Sequence, residues 1–214
     1  MKLAIFDVDG TLADSREAIL EAQRRAFAAL GLEAPPPEVG LSIVGLSLPE
    51  AFAVLAGGDG PITELCAAYR AAATAMRGEP AFAPRIFPGA DAALRTLKAR
   101  GVRLGVATGM ARRGLAHLFE RTGWAPLFST LQTADDHPSK PAPDMALAAM
   151  AETGADPREA MMIGDSIFDM QLAKAAGARA LGVGWGFHAP QALRAAGAEA
   201  VVADFDELLH LILA

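Results

Sequence analysis

Asp7 and Asp9 stand one residue apart at the end of a short apolar run, Leu3 to Phe6, and Gly10, Thr11 and Asp14 follow them. Like charges this close repel unless a cation offsets them. Further along, Thr108 and Gly109 follow a second apolar run, and Lys140 lies in "HPSKPAPD". "IGDSIFDM" then carries Asp165 and, four residues on, Asp169. Acids, a hydroxyl beside backbone amides, and a lysine are the parts of phosphoryl transfer. A phosphate ester is an anion, and carboxylates alone repel it. Mg²⁺ resolves the conflict, because it takes hard oxygen ligands and keeps places for waters and a substrate oxygen. Asp7 and Asp165 can supply such oxygens, while Thr108, the amides after it at a helix start, and Lys140 can hold phosphoryl oxygens. One carboxylate can then attack phosphorus to give an aspartyl phosphate. A second, two residues on, can protonate the leaving oxygen and afterwards activate water.

Each piece alone has an ordinary reading. D-x-D-G after a strand is a solvated turn, Asp165 or Ser166 is a helix N-cap, Thr108 is another cap and Lys140 a surface charge. Their order after successive strands is what separates them from those readings. The strands expected are Leu3–Phe6, Arg103–Ala107, Phe128–Thr130, Ala160–Ile163, Ala180–Val183 and Ala200–Val202. They are short apolar runs, as strands buried on both faces should be. Helical patterns lie between them at Asp91–Arg100, Arg112–Thr122, Asp144–Thr153 and Phe168–Ala176, each closed by a glycine. The alternation predicts an α/β fold, a Rossmann-like parallel sheet with helices on both faces, whose ligand sits beyond the carboxyl ends of the strands.

Residues 15–84 break the alternation. Ile19, Ala22, Ala26, Phe27 and Leu30 form a helical face, "APPPEVG" reads as a breaker, and "LPEAFAVLA" and "ITELCAAYRAAATAM" read as further helices. The expected organisation is therefore a core domain of residues 1–14 and 85–214 with a helical cap domain inserted at 15–84. Pro80, Pro84 and Pro88, with Gly78 and Gly89, suit a hinge.

"DVDGTLADS", "VATG", "SKPAPD" and "IGDSIFDM" resemble, in order, the four motifs of the haloacid dehalogenase superfamily. The helical insertion after the first motif is similar to the cap of its phosphoglycolate phosphatase-like branch. The resemblance implies a Mg²⁺-dependent phosphatase with Asp7 as nucleophile and metal ligand. It implies Asp9 as general acid/base that also binds the metal through its backbone carbonyl. Asp165 would be the remaining protein ligand and Asp169 a support of the metal site. Thr108, Gly109 and Lys140 would bind phosphate. Two alternatives remain at this point: a sugar-phosphate mutase of the same superfamily, and a phospho-acceptor signalling module that switches rather than turns over. Specificity is expected in the inserted helices around Gly45 in "SIVGLSLPEAF", and at Arg112 and Arg113 after the phosphate-binding turn. Met110 stands where related sequences often carry a polar or basic residue.

Composition narrows the partners. The 214 residues are 52% hydrophobic and carry a net charge of −6 without basic runs, so nucleic acid is not an expected partner. No apolar run is long enough for a bilayer and the N-terminus does not read as a signal peptide, so a cytoplasmic protein is expected. Its expected partner is a small phosphorylated metabolite, and its expected state a monomer or small homo-oligomer. Cys66, the single cysteine, lies in an apolar helical stretch and reads as core packing. His117, His137, His188 and His210 show no metal-ligand spacing, with His137 kept as a neighbour of the site.

Overall fold

The computed structural model describes residues 1–83 and 85–214. Pro84, one of the hinge prolines, lies outside the described residues. Among the described residues eight strands are present: β1 Leu3–Phe6, β2 Ala13–Asp14, β3 Arg85–Ile86, β4 Arg103–Thr108, β5 Phe128–Thr133, β6 Ala160–Gly164, β7 Arg179–Val183 and β8 Ala200–Val202. Six form one parallel sheet in the order β5-β4-β1-β6-β7-β8. β1 is fully buried and lies between β4 and β6, with Phe6 opposite both Val106 and Ile163. Chain order reverses there, which makes the crevice beyond β1 the natural ligand position.

The helices are α1 Arg16–Ala29, α2 Pro37–Ser42, α3 Leu48–Leu55, α4 Ile62–Met76, α5 Ala90–Ala99, α6 Arg112–Thr122, α7 Asp144–Thr153, α8 Ile167–Ala176, α9 Pro190–Ala196 and α10 Phe205–Leu213. Side chains of a strand alternate between faces, and β1 shows it directly. Ala4 and Phe6 pack with Leu94 and Leu97 of α5, Leu115 and Phe119 of α6, and Leu208 of α10. Leu3 and Ile5 pack with Met145 and Ala149 of α7, Met170 and Ala173 of α8, and Leu193 of α9. The sheet is thus covered on both faces. Among the described residues no helix is long and apolar enough to cross a membrane.

Helices α1 to α4 interrupt the sheet and bury a core of their own. Ala26 and Phe27 of α1 meet Phe52 of α3 and Leu65 and Cys66 of α4. Cys66 is buried there and desolvation raises its thiol, so it is packing material as read. One reading is corrected: "APPPEVG" does not simply break the chain. Pro37 opens α2, because proline at a first helical position loses no hydrogen bond that the helix would have made. A second pairing was not foreseen. The chain leaves and re-enters the core along β2 and β3, an antiparallel pair matching Ala13 with Ile86 and Asp14 with Arg85.

Candidate active site

The ends of β1, β4 and β6 bring Asp7, Thr108 and Asp165 side by side. Asp7 extends β1 by donating its N–H to Ile163 C=O at 2.9 Å. The chain then turns at once: Thr11, Leu12 and Ala13 all direct their N–H groups at Val8 C=O, at 3.2, 2.9 and 3.0 Å. Gly10 has φ +81°, and a Cβ there would lie 2.6 Å from the Phe187 ring and collide with the Asp165 carboxylate. Only glycine fits this turn.

One carboxylate oxygen from each of the buried Asp7, Asp165 and Asp169 lies within 4.8 Å of the others. Lys140, buried as well, places Nζ 2.9 Å from Asp7 Oδ1 and 2.6 Å from Asp169 Oδ1. Asp169 Oδ2 accepts from the N–H and Oγ of Ser166, at 3.1 and 2.6 Å, within the capping box that starts α8. Asp165 Oδ1 accepts from Thr11 Oγ1 at 3.0 Å, and its Oδ2 accepts from the Phe187 N–H at 2.7 Å. Asp7 Oδ2 is buried and has no hydrogen-bond partner.

The electrostatics follow from this packing. Burial pushes Asp7 up to about 7; Lys140 opposes the shift, and Asp169 and Asp9 add to it. Burial, then the charges of Asp7 and Asp169, lift Asp165 well above the usual carboxylate range. Burial raises Asp9, with the Ser15 hydroxyl and Lys140 pulling the other way. Burial alone would lower Lys140, but Asp169 and Asp7 outweigh it and hold the ammonium charged. Three carboxylates face one ammonium, so ionising all three would leave an excess of two negative charges, which is why burial raises them. An uncompensated buried charge is costly, and a divalent cation has the matching charge. The orphaned Asp7 Oδ2 and the spare lone pairs of Asp165 offer the hard oxygen donors that such an ion takes, so these residues fit Mg²⁺. Asp169 Oδ2 accepts two Ser166 donors and its Oδ1 is paired with the Lys140 ammonium, whose charge disfavours a cation there, which suits support rather than ligation.

Thr108 ends β4, buried, and its Oγ1 accepts the Met110 N–H at 3.1 Å, leaving its own O–H free to donate. Asp9, half-buried, Thr108 and Gly109 line a cavity of about 760 Å³ between the core and helices α1 to α4. Gly45, with φ +107°, lines it too, as do Arg113 and Met110. Arg112 does not line that cavity. Its guanidinium pairs with Asp136 and its N–H donates to Asp135 Oδ2 at 2.8 Å, so the reading that grouped it with Arg113 is corrected. The two are about 100° apart around α6, and the nearby acids fix which one turns away. His137 lines the cavity and bonds Gln132 Oε1 at 2.7 Å.

Two groups here escaped the sequence reading. The Phe187 amide holds Asp165, and a backbone donor leaves no trace in residue type. His188 accepts the Ile167 N–H at Nδ1, 3.3 Å, and so presents Nε2–H to Ser42 C=O at 3.1 Å. With the Ser47 N–H donated to Ser139 Oγ at 2.7 Å, this bond ties the helical segment onto the core.

A sequence model described as haloacid dehalogenase-like hydrolase matches residues 4–183. The chain is 34% identical over 211 residues to "Probable phosphatase IndB" of Dickeya dadantii, covering 97% of this chain and 91% of that one. It is 32% identical over 216 residues to a phosphoglycolate phosphatase of Rhodospirillum rubrum, covering 97% and 89%. The fold is similar to the crystal structure of a hydrolase from Pseudomonas syringae, with a TM-score of 0.87, 27% identity and coverage of 99% and 98%.

Proposed function

Because the chain belongs to the haloacid dehalogenase-like hydrolases, we propose that it hydrolyses the phosphate monoester of a small metabolite with Mg²⁺ bound beside Asp7. Membership of a hydrolase family sets aside the signalling-module alternative. The observation that carries the reading is the unpartnered, buried Oδ2 of Asp7, a residue that lines the cavity, while Lys140 grips the other oxygen.

Asp7 and Asp165 would hold the ion, with Asp169 positioning Lys140 behind them. Bound Mg²⁺ supplies positive charge that keeps Asp7 ionised and offsets the charge of the phosphoryl group. Asp7 attacks phosphorus; the Asp7 O–P bond forms as the ester P–O bond breaks. Asp9, raised by burial and thus able to hold a proton, donates it to the leaving alkoxide. The free O–H of Thr108, the Gly109 backbone and the Lys140 ammonium receive the phosphoryl oxygens. In the second half Asp9 takes a proton from water, the hydroxide attacks phosphorus, and the Asp7 O–P bond breaks. Inorganic phosphate leaves, and both acids return to their starting states. Residues 15–84 act as a cap over this floor and exclude water from the first step.

The test is hydrolysis of acetyl phosphate with Mg²⁺ and after EDTA treatment, joined to acid quench and peptide mapping. Activity is expected to vanish with EDTA and the phosphoryl group to be found on the peptide that contains Asp7. Full activity in EDTA removes the metal from the reading; an Asp7→Asn variant with wild-type turnover removes the nucleophile.

A further inference from the structure

The cavity above the acids is far larger than a phosphate needs. Its volume of about 760 Å³ lies inside the range of roughly 300–1,000 Å³ that takes a whole drug-sized molecule. Away from the floor its wall is built from Ile19, Ala22, Phe52, Tyr69, Met76 and Phe82. Phe52 meets Tyr69 edge-on, with ring centroids 5.8 Å apart. Ala22, Phe52 and Met76 are buried behind the wall, while Ile19, Tyr69 and Phe82 are half-buried and keep surface open on it. Of the charges on the lining, Glu17 pairs with Arg85 at 2.9 Å and Glu50 accepts the Ser47 hydroxyl, Arg70 and Arg113 are exposed, and Arg77 is half-buried next to Met76. A second anionic group pressed against the apolar wall away from Arg77 would lose its hydration without a cation to replace it.

We propose that this cavity selects phosphate monoesters whose alcohol is a large apolar, aromatic body, seated against Ile19, Tyr69 and Phe82 with the phosphate on the floor beside Asp7. The proposal rests on the phosphatase reading above and adds its substrate class. Aromatic rings on the wall offer offset and edge-to-face contacts to a flat ligand. Burial and the nearby Asp9 push the Tyr69 phenol up, so it stays protonated and gives one oriented donor in an apolar surround. Apolar burial of the alcohol then anchors the phosphate over Asp7, and binding far from the reacting atoms holds it in place.

The experiment compares three esters of primary alcohols, so that leaving-group strength changes little: ethyl phosphate, phosphoglycolate and 2-(1-naphthyl)ethyl phosphate. The naphthyl ester is expected to exceed ethyl phosphate in kcat/KM by about tenfold or more. Calorimetry with 2-(1-naphthyl)ethylphosphonate and ethylphosphonate reads the same preference without turnover, again at about tenfold. Ala73→Leu, which adds bulk to the cavity from α4, should lower the naphthyl-to-ethyl ratio; Ala18→Leu does so from α1 if the first variant is unstable. Preference for phosphoglycolate, or equal binding of the two phosphonates, overturns the proposal and turns attention to Arg70, Arg77 and Arg113 as an anion grip. Phosphonates that separate tenfold while no ester is hydrolysed support the apolar cavity and overturn the phosphatase reading instead.

Discussion

Ser47 donates its backbone N–H to Ser139 Oγ at 2.7 Å, so the helical segment is fastened to the residue immediately before Lys140. Beside that bond the Leu46 carbonyl rests on Gly109, where any Cβ would strike it. Gly109→Ala should therefore hold the segment off the core while leaving both halves folded. Small-angle scattering should show a larger radius of gyration, and kcat/KM should fall by about tenfold or more, since the misplaced wall no longer orients the substrate. Unchanged scattering and kinetics would show that the contact does not govern closure.

Lys140 is the only cation within ion-pair distance of the buried acids among the described residues. Lys140→Met keeps much of its length and apolar stem but strands the carboxylates. Breaking a buried pair from one side costs about 3–5 kcal/mol. Urea unfolding in EDTA should register a loss of that order, and added Mg²⁺ should recover part of it, because a ligand of the folded state alone stabilises it. A variant as stable as wild type in EDTA would mean that the acids are protonated throughout.

Sequence and structure agree most closely where a physical pattern repeats. The central strands β1, β4, β6 and β7 were legible because each is an apolar run buried on both faces, while the edge strands β5 and β8 are only partly buried and β5 continues past its expected end to Thr133. β2 and β3 were not legible, since two residues cannot display an alternation. α2 was hidden by its prolines, which start helices as readily as they stop them. α10 carries its own signal in Asp204, which caps the Glu207 N–H, and in buried Leu208 and Ile212, yet it was not read. At the site, acids and lysine announced themselves through type and order. The support they need came from a Phe187 amide and a Thr11 hydroxyl far apart in sequence, which only the folded chain brings to Asp165.

Asp9→Asn should keep the nucleophile but remove the proton donor. The expected loss is about 10²–10⁴ in rate for an alkyl phosphate, and much less for nitrophenyl phosphate, whose leaving group needs little protonation. Steady-state kinetics on the two esters decides it: equal losses on both would assign Asp9 to binding.

The acids also predict how the EDTA-treated protein responds to pH. Burial pushes Asp7 up to about 7 in the folded protein, against 3.8 for an ordinary aspartate. A raised carboxyl contributes stability in full below its unfolded value and loses it as pH rises toward its folded value. Asp165 and Asp9 are raised as well and act in the same direction. Glu21, drawn down to about 2 by Arg24 and Arg25, responds only below its ordinary 4.5 and leaves this window alone. His188, lowered by burial from its ordinary 6.5, acts the other way in this window, so the acids are read as a difference between proteins. Between about pH 5 and pH 7 the urea midpoint in EDTA should fall relative to that of Asp7→Asn, which should be the more stable protein above the window. A wild-type midpoint that keeps a constant offset from Asp7→Asn, or rises relative to it, across that interval would contradict the assignment.

The pairing of β2 with β3 makes the inserted helices separable in a topological sense. Every strand of the main sheet lies outside residues 15–84, and the two crossings already run antiparallel with Asp14 beside Arg85. Antiparallel neighbours need only a two-residue turn to join them. A short Asn-Gly link from Asp14 to Arg85 would thus close the catalytic half on itself without redrawing one hydrogen bond of its sheet. By the same geometry, a helical unit of different length or shape can be spliced between these two residues while the acids, Thr108 and Lys140 keep their places. The sheet is in this respect a socket into which one helical insert can be exchanged for another.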